Sequence, residues 1–208
     1  RADKQQDILD KVVALASKFP LERVQVLTPV KKGIVGSVNL NARLQEAFNP
    51  PAPDKPELKF GQTVFRVGDR VMQTKNDYRM EYRTGGAPAP AGPVSAGAGQ
   101  PAMRTAAPAA APVGAAPRAA AAAGRLYKTP DGKPDGKGVF NGEIGIVAEN
   151  DGDMKTVTVV YDGFRWVEYQ YIQLDEIDPA YAITVHKSQG SEFPIVILPM
   201  TWFPPVLA

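Results

Sequence analysis

Residues 184–193, TVHKSQGSEF, place hydroxyls, an imidazole, an ammonium, an amide and a carboxylate around one glycine, Gly190. The run IVILP, residues 195–199, follows at once and reads as a buried strand. A short polar bend feeding such a strand is where open α/β sheets gather ligands. A capped helix leading to a core strand would leave these polar groups merely facing water, and that simpler reading does not explain why Thr184, His186, Lys187, Gln189, Ser191 and Glu192 crowd together. A second candidate is TPVKKG, residues 28–33. There Thr28, Lys31 and Lys32 lie just beyond a short strand and can hold phosphate oxygens, with Asn41 adding hydrogen bonds.

Other chemistries are poorly provided for. The chain has no cysteine, which excludes disulfides and thiolate metal sites, and His186 as its one histidine cannot build a zinc site without several carboxylate partners. No segment fits the phosphate loop GxxxxGK[ST]. GKPDGKG, residues 132–138, has three residues between its glycines instead of four and Gly138 where the hydroxyl belongs, so it reads as a turn-rich loop. Leu174, Asp175 and Glu176 follow a segment too short and polar for a buried central strand, so they read as an acidic connector. No apolar run approaches the roughly 20 residues of a membrane span, and a cytoplasmic protein is expected.

The elements that must position these residues divide the chain unevenly. Ile8, Val12, Val13, Leu15, Ala16 and Phe19 lie near helical spacing and Pro20 ends the helix. RVQVL, residues 23–27, is a short strand, and Ser37 is expected to cap a helix striped by Val38, Leu40, Leu44 and Phe48. From residue 60 the pattern becomes short alternating strands with turns at Gly68-Asp69, Asn141-Gly142, Asp151-Gly152 and Asp162-Gly163, the layout of a small antiparallel barrel. Of its aromatics, Tyr161, Phe164, Trp166, Tyr169 and Tyr171, alternate members are expected to form the barrel's core and the last two to stay exposed; stacking on bases is the less favoured role, because this region is net acidic. Asp178 is expected to cap a final helix over residues 180–188, with Pro179 at its first position.

Residues 84–124 contain 18 Ala, 7 Pro and 7 Gly and offer almost no large apolar side chain, so they are expected to form a flexible loop outside any core. The net charge of +2 hides an uneven distribution. Residues 1–83 hold 15 basic and 10 acidic side chains, against 6 and 11 in residues 125–178. A nucleic-acid grip belongs on the basic side of that division.

TVHKSQGSEF resembles the fifth conserved motif of superfamily 1 helicases in the wording of the RecD-like branch, where Gln189 and Ser191 replace the lysine and leucine of UvrD-like enzymes. TPVKKG with VNLNARLQE, residues 38–46, resembles the fourth motif region of the same family. The resemblance implies an α/β fold: a partial RecA-like second motor domain, residues 1–59 and 178–208, interrupted by an SH3-like barrel, residues 60–83 and 125–177. It implies that Thr28, Lys31, Lys32, Asn41, Thr184, His186 and Lys187 lie toward single-stranded DNA, and that Gln189, Gly190, Ser191 and Glu192 border the nucleotide. It further implies ATP and Mg2+ as cofactors of a longer parent chain, 5'-3' translocation, a first motor domain as partner, and a place among repair or recombination subunits. With no initiator Met and an end at TWFPPVLA, the chain reads as a carboxy-terminal fragment that hydrolyses nothing alone. The competing reading is a catalytically inert DNA-binding or protein-interaction module, from a degenerate helicase or a relaxase-helicase fusion.

Overall fold

The computed structural model describes residues 2–53, 55–85, 130 and 132–200. The chain begins with α1 (Ala2–Ala16), β1 (Val24–Thr28) and α2 (Ser37–Phe48). Eight strands follow: β2 (Glu57–Phe60), β3 (Thr63–Arg66), β4 (Arg70–Gln73), β5 (Asp77–Thr84), β6 (Gly136–Val139), β7 (Ile144–Asp151), β8 (Thr156–Tyr161) and β9 (Arg165–Gln170). A 3-10 turn, Tyr171–Glu176, leads to β10 (Ile177–Pro179) and β11 (Ala182–Thr184), and a second, Val185–Ser188, precedes β12 (Ile195–Ile197). The expected low-complexity loop lies outside the described residues apart from Thr84 and Gly85. A Cβ added at Gly85 would sit 3.1 Å from Pro130 Cγ, so the described residues on either side of that stretch meet.

Two cores result. In the first, Leu9, Val12 and Ala16 recur on one face of α1, Leu40 and Leu44 on one face of α2, and Val24 and Val26 on one face of β1; all are buried together. Here β1 is the centre of a three-stranded parallel sheet in the order β11-β1-β12. The opposite face of that sheet presents Leu27 and Ile183 to Met72 of β4, and there the second core begins. That second core is wrapped by a curled seven-stranded antiparallel sheet, β10-β4-β7-β8-β9-β5-β6, with Leu58 and Phe65 of the β2–β3 hairpin packed into it. Register shifts in β7 and in β5 mark bulges, which bend a strand and increase its twist.

Several sequence expectations are corrected here. In place of the expected helix over residues 180–188 stand two short strands and a 3-10 turn: β10 pairs antiparallel with β4, β11 pairs parallel with β1, and Val185–Ser188 forms the turn. Ile183, Thr184 and Val185 are β-branched in succession and weak helix formers, so long-range pairing prevails over the local capping signal at Asp178. Pro179, lacking an N–H, is tolerated because β10 is an edge strand. Ser37 is the first helical residue rather than the cap. Gly36 is the cap, and the Val30 and Lys31 carbonyls accept from the N–H groups of Ser37 and Val38. In GKPDGKG, residues 136–138 belong to β6 rather than to a loop. β12 is an edge strand with Val196 49% exposed, not a buried one.

Tyr169 is fully buried, contrary to the exposed position expected for it. Its hydroxyl donates to Gln73 Oε1 at 2.8 Å and lies 2.7 Å from the Tyr161 hydroxyl, which is left to donate to it. Burial, with the neighbouring Tyr169 hydroxyl adding to it, pushes the Tyr161 phenol well above its ordinary range. Trp166 is also buried, and only Phe164 and Tyr171 of the five aromatics remain substantially exposed.

The two cores are tied through adjacent charged residues at the start of β4. Asp69 is 2% exposed, and its carboxylate accepts four hydrogen bonds. Gln45 Nε2 and the Arg66 N–H donate to Oδ2 at 2.6 and 2.7 Å, and Asn49 Nδ2 and the Tyr181 hydroxyl donate to Oδ1 at 2.7 and 2.8 Å. Burial raises the Asp69 pKa above the usual carboxylate value, and the bonds from Asn49, Arg66, Tyr181 and Gln45 oppose the rise. Next to it the buried Arg70 guanidinium donates through Nη1 to the carbonyls of Leu21 and Val24, at 3.0 and 2.9 Å. Desolvation lowers its pKa to about 10, so it stays charged at neutral pH.

Replacing Asp69 with Asn turns one acceptor oxygen into a donor that must face two donors. The Asp69→Asn variant is expected to lose about 3 kcal/mol of unfolding free energy, read from the urea midpoint at unchanged m-value. A loss under about 1 kcal/mol would show that the carboxylate is not the tie between the cores.

Candidate nucleic-acid interface

Parallel pairing places Thr28 directly opposite Thr184. The loop after β1 and the loop after β11 therefore leave the same end of adjacent strands, although the two segments lie far apart in sequence. In an open α/β sheet this carboxyl end is where ligands are held.

The first loop is shaped from within. The Thr28 hydroxyl is buried and donates to the Val35 carbonyl at 2.8 Å, and the Asn39 amide donates to the Ile34 carbonyl at 2.6 Å. The chain then closes tightly on Gly36, where a Cβ would sit 2.5 Å from the Lys32 carbonyl carbon. Only glycine allows that approach. Lys31 and Lys32, between these fixed points, are exposed.

Asn41 joins this loop's helix to the second loop's strand. Its Nδ2 donates to the carbonyls of Pro179 and Ala182 at 3.0 and 2.8 Å, and its Oδ1 accepts from the Ala182 N–H at 2.7 Å. Thr28 and Asn41 are thus engaged inside the protein. They set the geometry from which Lys31 and Lys32 project.

In the second loop the Thr184 hydroxyl accepts from the Lys187 N–H at 3.4 Å and starts the 3-10 turn. The turn leaves His186 exposed and Lys187 half-buried. Gly190, at φ +81°, takes a left-handed conformation that a side chain disfavours, and the Ser191 N–H returns to the Ser188 carbonyl at 3.1 Å. Gln189 and Glu192 are exposed on this bend, with Ser191 half-buried between them.

A cleft of about 330 Å³ runs between the two loops and the curled sheet, lined by Lys31, Val38, Gln62, Asp178, Thr184 and Lys187 among others. Asn41 also faces it, whereas Lys32, His186 and residues 189–192 do not. Lys187 Nζ lies 3.0 Å from Asp178 Oδ2, and Lys31 Nζ lies 4.0 Å from the same oxygen. Asp178, read from the sequence as a helix cap, is therefore the anion between the two lysines. Gln62 was also missed, because nothing near it in sequence signals a site. Among the described residues no cluster of three or more His, Cys, Asp or Glu side chains could hold a metal ion, and no helix is long and apolar enough to cross a membrane.

The candidate site is thus two loops bearing exposed or half-buried cations at the carboxyl end of parallel strands, with a curled antiparallel sheet alongside. The chain belongs to the RecD-like DNA helicase family: the family model described as the ATP-dependent RecD-like DNA helicase SH3 domain matches residues 40–161, more than half of its length. A second model, the UvrD-like helicase C-terminal domain, matches residues 179–208 and so includes the motif loop. Among curated proteins the chain is 29% identical over 174 residues to the ATP-dependent RecD2 DNA helicase of Deinococcus radiodurans, a match covering 84% of this chain. The same match spans 16% of that relative's length.

Because Asn41 alone satisfies the Ala182 N–H, replacing it with Leu strands a buried donor and two carbonyls. The Asn41→Leu variant is expected to lose about 2–4 kcal/mol of stability. Amide hydrogen exchange at Ala182, slow in the parent sequence, should become fast; unchanged protection there would exclude Asn41 as the clasp between the loops.

Proposed function

We propose that this chain is the segment of a RecD-like, ATP-dependent DNA helicase that forms part of the single-stranded DNA track and one wall of the nucleotide cleft. The observation that carries this reading is the register of β1 and β11, which brings TPVKKG and TVHKSQGSEF side by side. Lys31, Lys32, His186 and Lys187 are the side chains that would meet a phosphate backbone, with Thr184 at the edge of the cleft. Thr28 and Asn41 act by holding these loops in place.

On the nucleotide side, the exposed Gln189 and Glu192 and the intervening Ser191 offer an amide, a carboxylate and a hydroxyl to ribose and phosphate groups. ATP with Mg2+ would supply the phosphoryl transfer that drives movement. A first motor domain of the same parent would hold the phosphates, since the phosphate-loop pattern does not occur in these 208 residues. Gly190 lets the chain reverse sharply within the nucleotide-facing run, directly after the DNA-facing Thr184, His186 and Lys187. The resemblance supports 5'-3' movement along the strand and an association with other repair or recombination proteins.

Two measurements test the proposal on this chain. With Lys31, Lys32 and Lys187 as the principal charged contacts, the log–log salt dependence of single-strand binding should have a slope of about −2. Replacing all three with Ala should flatten it, whereas replacing Lys133 and Lys137 should not; the opposite result in anisotropy titrations would move the interface to the curled sheet. The 208-residue chain should also show no ATP hydrolysis, with or without single-stranded DNA. Turnover in a preparation free of other helicases would overturn that assignment.

A further inference from the structure

Asp178 lies where a phosphate of a bound strand would be expected to lie. Its Oδ2 is 3.0 Å from Lys187 Nζ and 4.0 Å from Lys31 Nζ, and these cations come one from each of the two loops that line the cleft. A carboxylate and a phosphate oxygen satisfy an ammonium in the same way, so they compete for it. Asp178 itself is fixed in position, because β10 is hydrogen-bonded to β4 and Asp178 pairs in register with Met72. The lysine side chains, on flexible four-carbon stems, are the mobile partners. All three side chains keep part of their surface in water, at 33% for Lys187, 42% for Asp178 and 66% for Lys31, so exchange of one anion for another needs no opening of the core.

We propose that Asp178 is an internal competitor for the DNA backbone, a carboxylate that holds Lys31 and Lys187 when no strand is bound and yields them to phosphate when one arrives. This rests on the reading of the two loops as DNA contacts and adds to it the control of affinity at that site. A motor that advances must release each phosphate as well as bind it. A built-in anion lowers the affinity of the track and leaves its lysines neutralised, not bare, at the moment of release. It also keeps two like charges from repelling one another across an empty cleft.

The test measures binding of a fluorescein-labelled oligo-dT strand to the 208-residue chain across a salt series. Asp178→Asn should tighten binding about fivefold at low salt, the equilibrium equivalent of one exposed ion pair, with the gain shrinking as salt rises because the competing pair is itself screened. Asp178→Ser should do the same, which separates the loss of charge from any effect of the new amide. Asp175→Asn is the matched control: it removes the same charge from a carboxylate 2.6 Å from Lys75, a lysine that does not line the cleft. It should leave binding nearly unchanged. In a chain already carrying Lys31→Ala and Lys187→Ala, Asp178→Asn should give no gain.

If Asp178→Asn binds no better than the parent while the lysine variant binds more weakly, the competitor is wrong and the DNA reading stands. An equal gain from Asp175→Asn likewise overturns the competitor, because net charge alone would then account for it. If the lysine variant binds as tightly as the parent with the same salt slope, the DNA reading fails and the competitor fails with it. Melting temperatures of all variants should stay within a few degrees of the parent, since an exposed ion pair adds little to stability.

Discussion

A buried carboxylate needs donors on every side, and the arrangement around Asp69 follows from that need. Two donors come from α2 and its cap, one from the end of β3 and one from the residue before β11. No two of these segments could shift relative to one another without leaving part of the charge unsatisfied, at several times the loss of an ordinary hydrogen bond. The curled sheet and the parallel sheet are therefore held in one orientation by a polar contact as well as by the apolar contacts of Leu27, Ile183 and Met72. Arg70 adds to this by reaching back to the carbonyls of Leu21 and Val24 at the entrance to β1.

That orientation fixes the cleft. Its walls come from both parts: Lys31 and Val38 from the parallel-sheet side, Gln62 from the turn of the β2–β3 hairpin, and Met72 and Asp178 from β4 and β10 of the curled sheet. The cationic loops gain their precision from side chains that do not reach solvent. Thr28 and Asn41 use the hydroxyl and amide groups that such a site might present to a ligand, and use them on the backbone of the loops instead. Fixing the surroundings while the lysines keep only solvent-accessible partners suits a surface that must meet successive positions of a uniform polyanion.

Much of this was legible in the sequence, and the parts that were not share a cause. α1, β1 and α2 follow from local periodicity, and the turns at Gly68-Asp69, Asn141-Gly142 and Asp162-Gly163 from dipeptides whose backbone preferences act over a few residues. The motif loop stood out by composition. Residues 177–184 were misread because Asp178 and Pro179 make a sound local helix start, while the strand partners that overrule it, at residues 26–28 and 71–73, are distant in sequence. Tyr169 was misplaced for a related reason. Alternation along β9 says which residues share a face but not that the sheet curls so far that both faces are covered, with Trp166 buried on one side and Tyr169 on the other. Asp69 looked like a turn residue, and its role depends on Gln45, Asn49 and Tyr181 arriving from elsewhere.

The position of β1 has a consequence for how the molecule comes to be made. It is the central strand of its sheet, yet both of its neighbours, β11 and β12, lie beyond the entire curled sheet in the chain. Within this stretch of the chain, α1, β1 and α2 are synthesised before either strand that flanks β1, and their apolar faces pack against one another. Within the curled sheet only β7, β8 and β9 pair as successive hairpins, while β4 waits for β7 and β10 and β5 waits for β6 and β9, all made much later. Completion of the parallel sheet is then the last event, and it waits on the synthesis of the very segment that carries TVHKSQGSEF. Until that segment docks, the edges of β1 are open to pairing with another chain, so this is the interval in which a chaperone would protect the nascent protein.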